Sequence, residues 1–128
     1  MTETVVITGI ARTPMGAFKG AFTDVAASEL GAVAIRAAMS EANVAADSVE
    51  QVMMGCVLPA GQGQAPARQA ALGADLPMAA EAITVNKMCG SGMQAAIMAH
   101  DTIKAGSADI IIAGGMENMT RAPYLLPD

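Results

Sequence analysis

Two rhythms of apolar and polar positions run along this chain, and they alternate. "TVVITGI" (Thr4 to Ile10) is a short β-branched run followed by turn residues, which predicts a strand buried on both faces. "SELGAVAIRAAMSEAN" then places Leu30, Val33, Ala34 and Ala37 at helical spacing, with Ser28 as N-cap and Arg36 and Glu41 facing outward. "VEQVMMGCVL" (Val49 to Leu58) is a second apolar run of strand length. A loop rich in Gly, Gln and Pro follows and passes into a short helix near Ala67 to Leu72, with Gly73 placed as a left-handed cap. "EAITVNK" (Glu81 to Lys87) predicts a third strand. From about Ser91 to Ala105 a helix follows, with Met93, Ala96, Ile97, His100 and Lys104 along one face and Gly106 as its stop. "ADIIIAGG" (Ala108 to Gly115) is the fourth strand, and its consecutive isoleucines predict a central parallel strand covered on both sides. The tail "MENMTRAPYLLPD" has no periodic pattern and reads as loop.

The order β-α-β-α-β-α-β predicts an α/β fold with a doubly wound, mostly parallel sheet and right-handed crossovers. Such sheets bind ligands at the carboxyl ends of their strands. The glycine pattern argues against a nucleotide. "GIARTPMGAFKG" holds no G-x-G-x-x-G, "AGQGQA" lacks the third glycine, and no phosphate-loop motif occurs.

Composition sharpens this reading in a few places. The 128 residues fit one domain, and 53% apolar against 15% charged residues excludes a disordered chain. So apolar a chain is expected to bury surface against a partner subunit or a further part of its own sequence. A net charge of −5 with no basic run argues against nucleic acid. The N-terminus has neither a basic region nor a long apolar segment, so no secretory signal is expected, and "IIIAGGM" is far too short to span a membrane. Two cysteines without a spacing motif predict no disulfide framework and a reducing, cytoplasmic setting. One histidine and two distant cysteines predict no metal site.

The chemistry gathers at "VNKMCGSGMQAA" (Val85 to Ala96). Cys89 stands where a strand ends and a helix begins, where the N–H groups of Gly90, Ser91 and Gly92 lack intrahelical partners. Those amides and the helix dipole would stabilise a thiolate and raise its nucleophilicity, although a cysteine beside an apolar strand reads equally as a small buried hydrophobe, and the residues alone leave both readings open. Gly90 and Gly92 keep the approach open, much as in the nucleophile elbow of serine hydrolases, and an amide here could donate to the oxyanion of a tetrahedral intermediate. Cys56, with no flanking donors, reads as a small buried hydrophobe. His100 is roughly 16 Å along the helix axis from Cys89, too far to act as its base. Glu117 and Asn118 read as loop-fixing hydrogen bonders, and Lys87 as either a source of positive potential or a solvated side chain.

"NKMCGSGMQAA", followed by "AHDTIKAGSADIIIAGGMENMTRAPYLLP", closely resembles the thiolase family, as do "ARTPMGAFKG" and "GCVLPAGQGQAPARQAAL" (Gly55 to Leu72). The resemblance runs in register from about Val5 to Pro127. It implies Claisen condensation of two acetyl-CoA molecules, or thiolytic cleavage of a 3-ketoacyl-CoA, in acyl-CoA and fatty acid metabolism. It also implies a covalent acyl-enzyme on Cys89, with Gly90, Ser91 and Gly92 as oxyanion and helix support. Coenzyme A thioesters would be the substrates, with no permanently bound cofactor. The family fold is a five-layer αβαβα pair of doubly wound domains in dimers or tetramers. On that template residues 1–120 form part of the N-terminal domain, and 121–128 begin a loop region. A thiolase further needs a histidine in a G-H-P motif and a second cysteine in a C-x-G-G motif. Neither is present, so the chain reads as a truncated piece, inactive alone. The CoA-binding loop and the fifth strand of this sheet are likewise expected after Asp128. Three rival readings stay open: a ketoacyl synthase-type condensing enzyme, a non-catalytic fragment that pairs with thiolase subunits, and a redox-sensing thiol.

Overall fold

A computed structural model describes residues 4–128. Its elements are α1 (Ala27–Ala42), β1 (Gln51–Gly55), α2 (Pro66–Gly73), β2 (Glu81–Val85), α3 (Ser91–Lys104) and β3 (Ile111–Gly115), with short 3-10 turns at Ala46–Ser48 and Met119–Arg121. The strands form one parallel sheet in the order β2-β1-β3. Gln51 stands opposite Glu81 on one side and Ile111 on the other.

From β1 the chain steps one way to β2, then back past β1 to β3. Right-handed crossovers then require α2 and α3 on opposite faces of the sheet. The core divides accordingly. Val52 and Met54 of β1 pack with α1 and α2 through Ile35, Ala67, Ala70 and Ala71. Met53, which points the other way, packs with Ala95 and Ala99 of α3. This is the doubly wound α/β arrangement, with β1 as its buried spine.

Several expectations change on contact with the structure. The run Thr4 to Ile10 takes no regular secondary structure and belongs to no strand among the described residues. It lies along α1, where Ile10 N–H donates to Glu41 Oε2 at 2.7 Å, and Ile7 is 84% exposed. β-branched residues favour an extended backbone, but a strand also needs an edge to bond, and this run lies along α1 instead of along the outer edge of β2 or β3. β3 is an edge strand with half-buried isoleucines, and β1 takes the central place predicted for it.

The helix faces are rotated from the predicted ones. α1 buries Ala27, Ser28, Gly31, Ala32 and Ile35, whereas Val33 and Ala37 are exposed and Leu30 and Ala34 half-buried. Its N-cap is Ala26, whose N–H donates to Glu29 Oε2 at 2.7 Å; Ser28 lies inside the helix. α3 buries Ser91, Ala95 and Ala99, and leaves Met93, Ala96, Ile97 and His100 exposed. One cause serves both helices. Their closest contacts are made through small residues, with Ile35 the one bulky side chain buried on α1, so a count of bulky apolar residues selects the wrong face. Gly73 falls inside α2, and the left-handed residue after that helix is Asp75 (φ 63°). Gly106 (φ 72°) does end α3.

Glu50 ties the amino ends of all three strands. Its N–H donates to Ile110 O and its C=O accepts from Glu81 N–H. Its carboxylate Oε1 accepts from Asp109 N–H at 2.6 Å and Ile110 N–H at 3.0 Å. Those two amides hold the Glu50 carboxyl below its ordinary range. A depressed carboxyl adds stability that is complete above the ordinary carboxylate range and is lost as pH falls through the depressed value. Urea melts across a pH series should therefore show a loss of stability in acid that Glu50→Gln reduces. An unchanged acid limb in that variant would remove Glu50 from the account.

Candidate functional site

The carboxyl ends of β1 and β3 open onto a cleft of about 750 Å³, and Cys89 lines it together with Gly55, Gly115 and Gly92. Its far side comes from the "ARTPMGAF" segment, whose Arg12 is the one cation along the lining. Periodicity gave no hint that this segment faces Cys89. Polar ties to the loop after β3 hold it there: Lys19 N–H donates to Thr120 Oγ1 at 2.9 Å, and Asn118 Nδ2 donates to Phe22 O and Val25 O, each at 2.7 Å.

Cys89 is an exposed free thiol at the strand-to-helix turn. The residue before it, Met88, takes a left-handed backbone (φ 50°), which costs a non-glycine residue roughly 1–2 kcal/mol. Three polar contacts offset that cost. Met88 N–H donates to Asn86 Oδ1 at 3.1 Å, Lys87 N–H donates to Ser91 Oγ at 2.8 Å, and the Ser91 hydroxyl donates to Met88 O at 2.6 Å. Ser91 is buried, so its hydroxyl has no water to fall back on.

The amides predicted as oxyanion donors are sorted by this turn. Gly90 N–H donates to Lys87 O and Ser91 N–H to Met88 O, both at 3.1 Å, so neither is available. The turn needs them to close the chain back on itself before α3 begins. The N–H groups of Cys89 itself and of Gly92 have no such partner among the described residues and remain the donors at this turn. Gly92 also rests on β1: a Cβ added to Gly55 would fall 2.7 Å from Gly92 N and 2.8 Å from Ser91 Cβ. Gly55 is thus a site residue that sequence reasoning passed over. Its only signal was a glycine at the end of an otherwise apolar strand, which marks close backbone approach.

Glu117 and Asn118 act as loop fixers. Glu117 accepts from Val57 N–H (Oε2, 2.7 Å) and Leu58 N–H (Oε1, 3.1 Å), joining the ends of β3 and β1. Val57 O in turn accepts from Asn86 Nδ2 at 3.3 Å. Cys56 is buried, but it does have polar company: Gln62 Nε2 donates to its sulfur at 3.3 Å, and the thiol lies 3.7 Å from Glu117 Oε1. Burial first, and the Glu117 charge second, push the Cys56 thiol above its ordinary range. Lys87 Nζ donates to Gln94 Oε1 at 3.0 Å, which anchors it on the flank of α3. His100 pairs with Asp101 at 3.0 Å on the exposed side of that helix.

Fold and cleft together define a doubly wound α/β domain that opens an exposed thiol onto the carboxyl ends of its strands. The chain belongs to the thiolase family, matching the thiolase N-terminal domain over residues 5–128. It is 48% identical over its whole length to an acetyl-CoA acetyltransferase of Syntrophomonas wolfei, and 52% identical over 99% of its length to that of Cupriavidus necator. It spans 32% of the length of each of these relatives. The crystal structure of a thiolase from Ascaris suum in complex with coenzyme A superposes with a TM-score of 0.93 at 35% identity, covering 94% of this chain and 32% of that one.

Proposed function

We propose that this chain is the nucleophile-bearing part of an acyltransferase that moves acetyl groups between coenzyme A thioesters, with Cys89 as the acyl acceptor. The observation that carries the reading is the placement of Cys89. In a chain of the thiolase family, it is the exposed thiol of the cleft, set at the start of a helix beside a free Gly92 amide.

The chemistry follows from that placement. The Cys89 sulfur, having given up its proton to solvent, attacks the thioester carbonyl. The electron pair of the C=O moves onto oxygen, where the Gly92 N–H and the positive end of α3 stabilise it. Collapse of this intermediate breaks the bond to the CoA sulfur. CoA leaves as a thiolate that takes up a proton, and the acetyl group remains on Cys89. The single histidine of the chain lies on the outer face of α3, so no imidazole takes the cysteine proton here. The chain is therefore an acceptor without turnover. The complete catalyst, its assembly with further copies and a reducing cytoplasmic setting belong to the same proposal.

The test is intact mass and peptide mapping after incubation with acetyl-CoA, and separately with p-nitrophenyl acetate as an activated donor. One acetyl group per chain at Cys89, its loss in Cys89→Ala, and no catalytic release of CoA are expected. Catalytic CoA release, or an adduct on Cys56 in its place, would overturn the reading.

A further inference from the structure

The contacts around Cys89 form a continuous frame. Ser91 Oγ accepts from Lys87 N–H and donates to Met88 O, so one buried hydroxyl holds the turn on both sides of Met88. Asn86 holds it from the outside, accepting from Met88 N–H and donating to Val57 O. Val57 is itself fixed by Glu117. The frame thus runs from the end of β3, across the end of β1, to the residue before the nucleophile. Without it Met88 has no reason to stay left-handed, and a turn of 87–91 in ordinary backbone geometry would carry Cys89 elsewhere relative to Gly92.

We infer that Asn86 and Ser91 are positioning residues, whose side chains hold Met88 in its left-handed conformation and so fix the Cys89 thiol together with the free amides of Cys89 and Gly92 at the start of α3. The inference rests on Cys89 being the acyl acceptor. It adds that the acceptor's competence depends on two side chains that never meet the acyl group. Both stand in the motif around Cys89, where Ser91 was read only for its amide and Asn86 was not singled out. Their hydroxyl and carboxamide are what the turn uses.

A ratio of two rates on the same thiol tests this. Acetylation by p-nitrophenyl acetate builds an oxyanion. Disulfide exchange with a small aromatic disulfide does not, yet it depends equally on exposure and ionisation of the sulfur. Dividing the first rate by the second leaves the part that depends on placement against a donor. We expect Ser91→Ala and Asn86→Ala each to lower the ratio by about tenfold, below the ~10²–10³ that loss of a fully enclosed oxyanion donor costs, because this cleft is open to water. Adding Met88→Gly to Ser91→Ala should recover much of the ratio, because glycine takes a positive φ without steric cost. Residue 86 is exposed, so Asn86→Ala alone decides the matter where the Ser91 variant does not fold. Ratios equal to the parent chain's would overturn the positioning role and leave the acceptor in place. A parent chain whose Cys89 exchanges disulfide but is never acetylated would overturn both.

Discussion

Gly55→Ala is expected to abolish acetyl capture at Cys89 and to lower the melting temperature of the chain. The atoms that the new methyl meets are Gly92 N and Ser91 C at 2.7 Å and Ser91 Cβ at 2.8 Å. None of them is the tip of a flexible side chain, so the first turn of α3 must lift off β1 as a unit. Overpacking of this kind costs roughly 1–3 kcal/mol in a core. The chemical cost should be larger in proportion, because a displacement near 1 Å at a reacting group is worth about a hundredfold in rate. Thermal melts and the rate of acetylation by p-nitrophenyl acetate, measured side by side, check this. Gly55→Ala acetylated at the parental rate would mean that the seat of α3 on β1 does not matter for the thiol.

Glu117→Ala should be the most destabilising polar substitution in the cleft wall. It removes the acceptor from Val57 N–H and Leu58 N–H at once, stranding the part-buried Val57 amide and leaving the exposed Leu58 amide to water. Hydrogen bonds to a charged acceptor are worth roughly 1.5–3 kcal/mol each, so a loss on the order of 3 kcal/mol is expected from urea unfolding. Glu117→Gln should fare little better. Two N–H donors converge on the carboxylate, and a carboxamide offers an oxygen to one of them but a competing NH₂ to the other. A glutamine variant as stable as the parent would show that one of the two contacts carries no energy.

The succession of strands and helices from residue 27 to 115 was legible because fully buried strands and amphipathic helices leave their period in the sequence. The position of Cys89 at a strand-to-helix turn was legible for the same reason. What could not be read was which face of each helix is inside. α1 and α3 pack through Gly31, Ala32, Ala95 and Ala99, and small residues give a weak hydrophobic signal even where they make the closest contacts. Strand order was hidden too. Three isoleucines in a row predicted a central strand, yet hydropathy does not encode which neighbours a strand will have, and β3 took the edge. The Cys89 turn was half legible. Counting helix termini correctly put free amides there, but Gly90 and Ser91 spend theirs on Lys87 and Met88, a local closure that depends on the left-handed Met88. The pairing of the "ARTPMGAF" segment with that turn joins residues far apart in the chain, and no local pattern records such a meeting.

The two thiols also give the molecule an internal clock. Cys56 follows directly on β1, its N–H bonded to Val85 O at 3.0 Å and its side chain 1% exposed, whereas Cys89 stands in the open. An alkylating agent can reach Cys56 only when the seam between the β1 and β2 ends parts, an event set by the opening equilibrium of that region. In one pulse of reagent, modification of Cys89 therefore counts encounters with native molecules, and modification of Cys56 counts excursions out of the native state. Every variant described above that keeps both thiols could be timed this way in a single mass spectrum, with the loss of its chemistry and the loosening of its core recorded on separate atoms of the same chain.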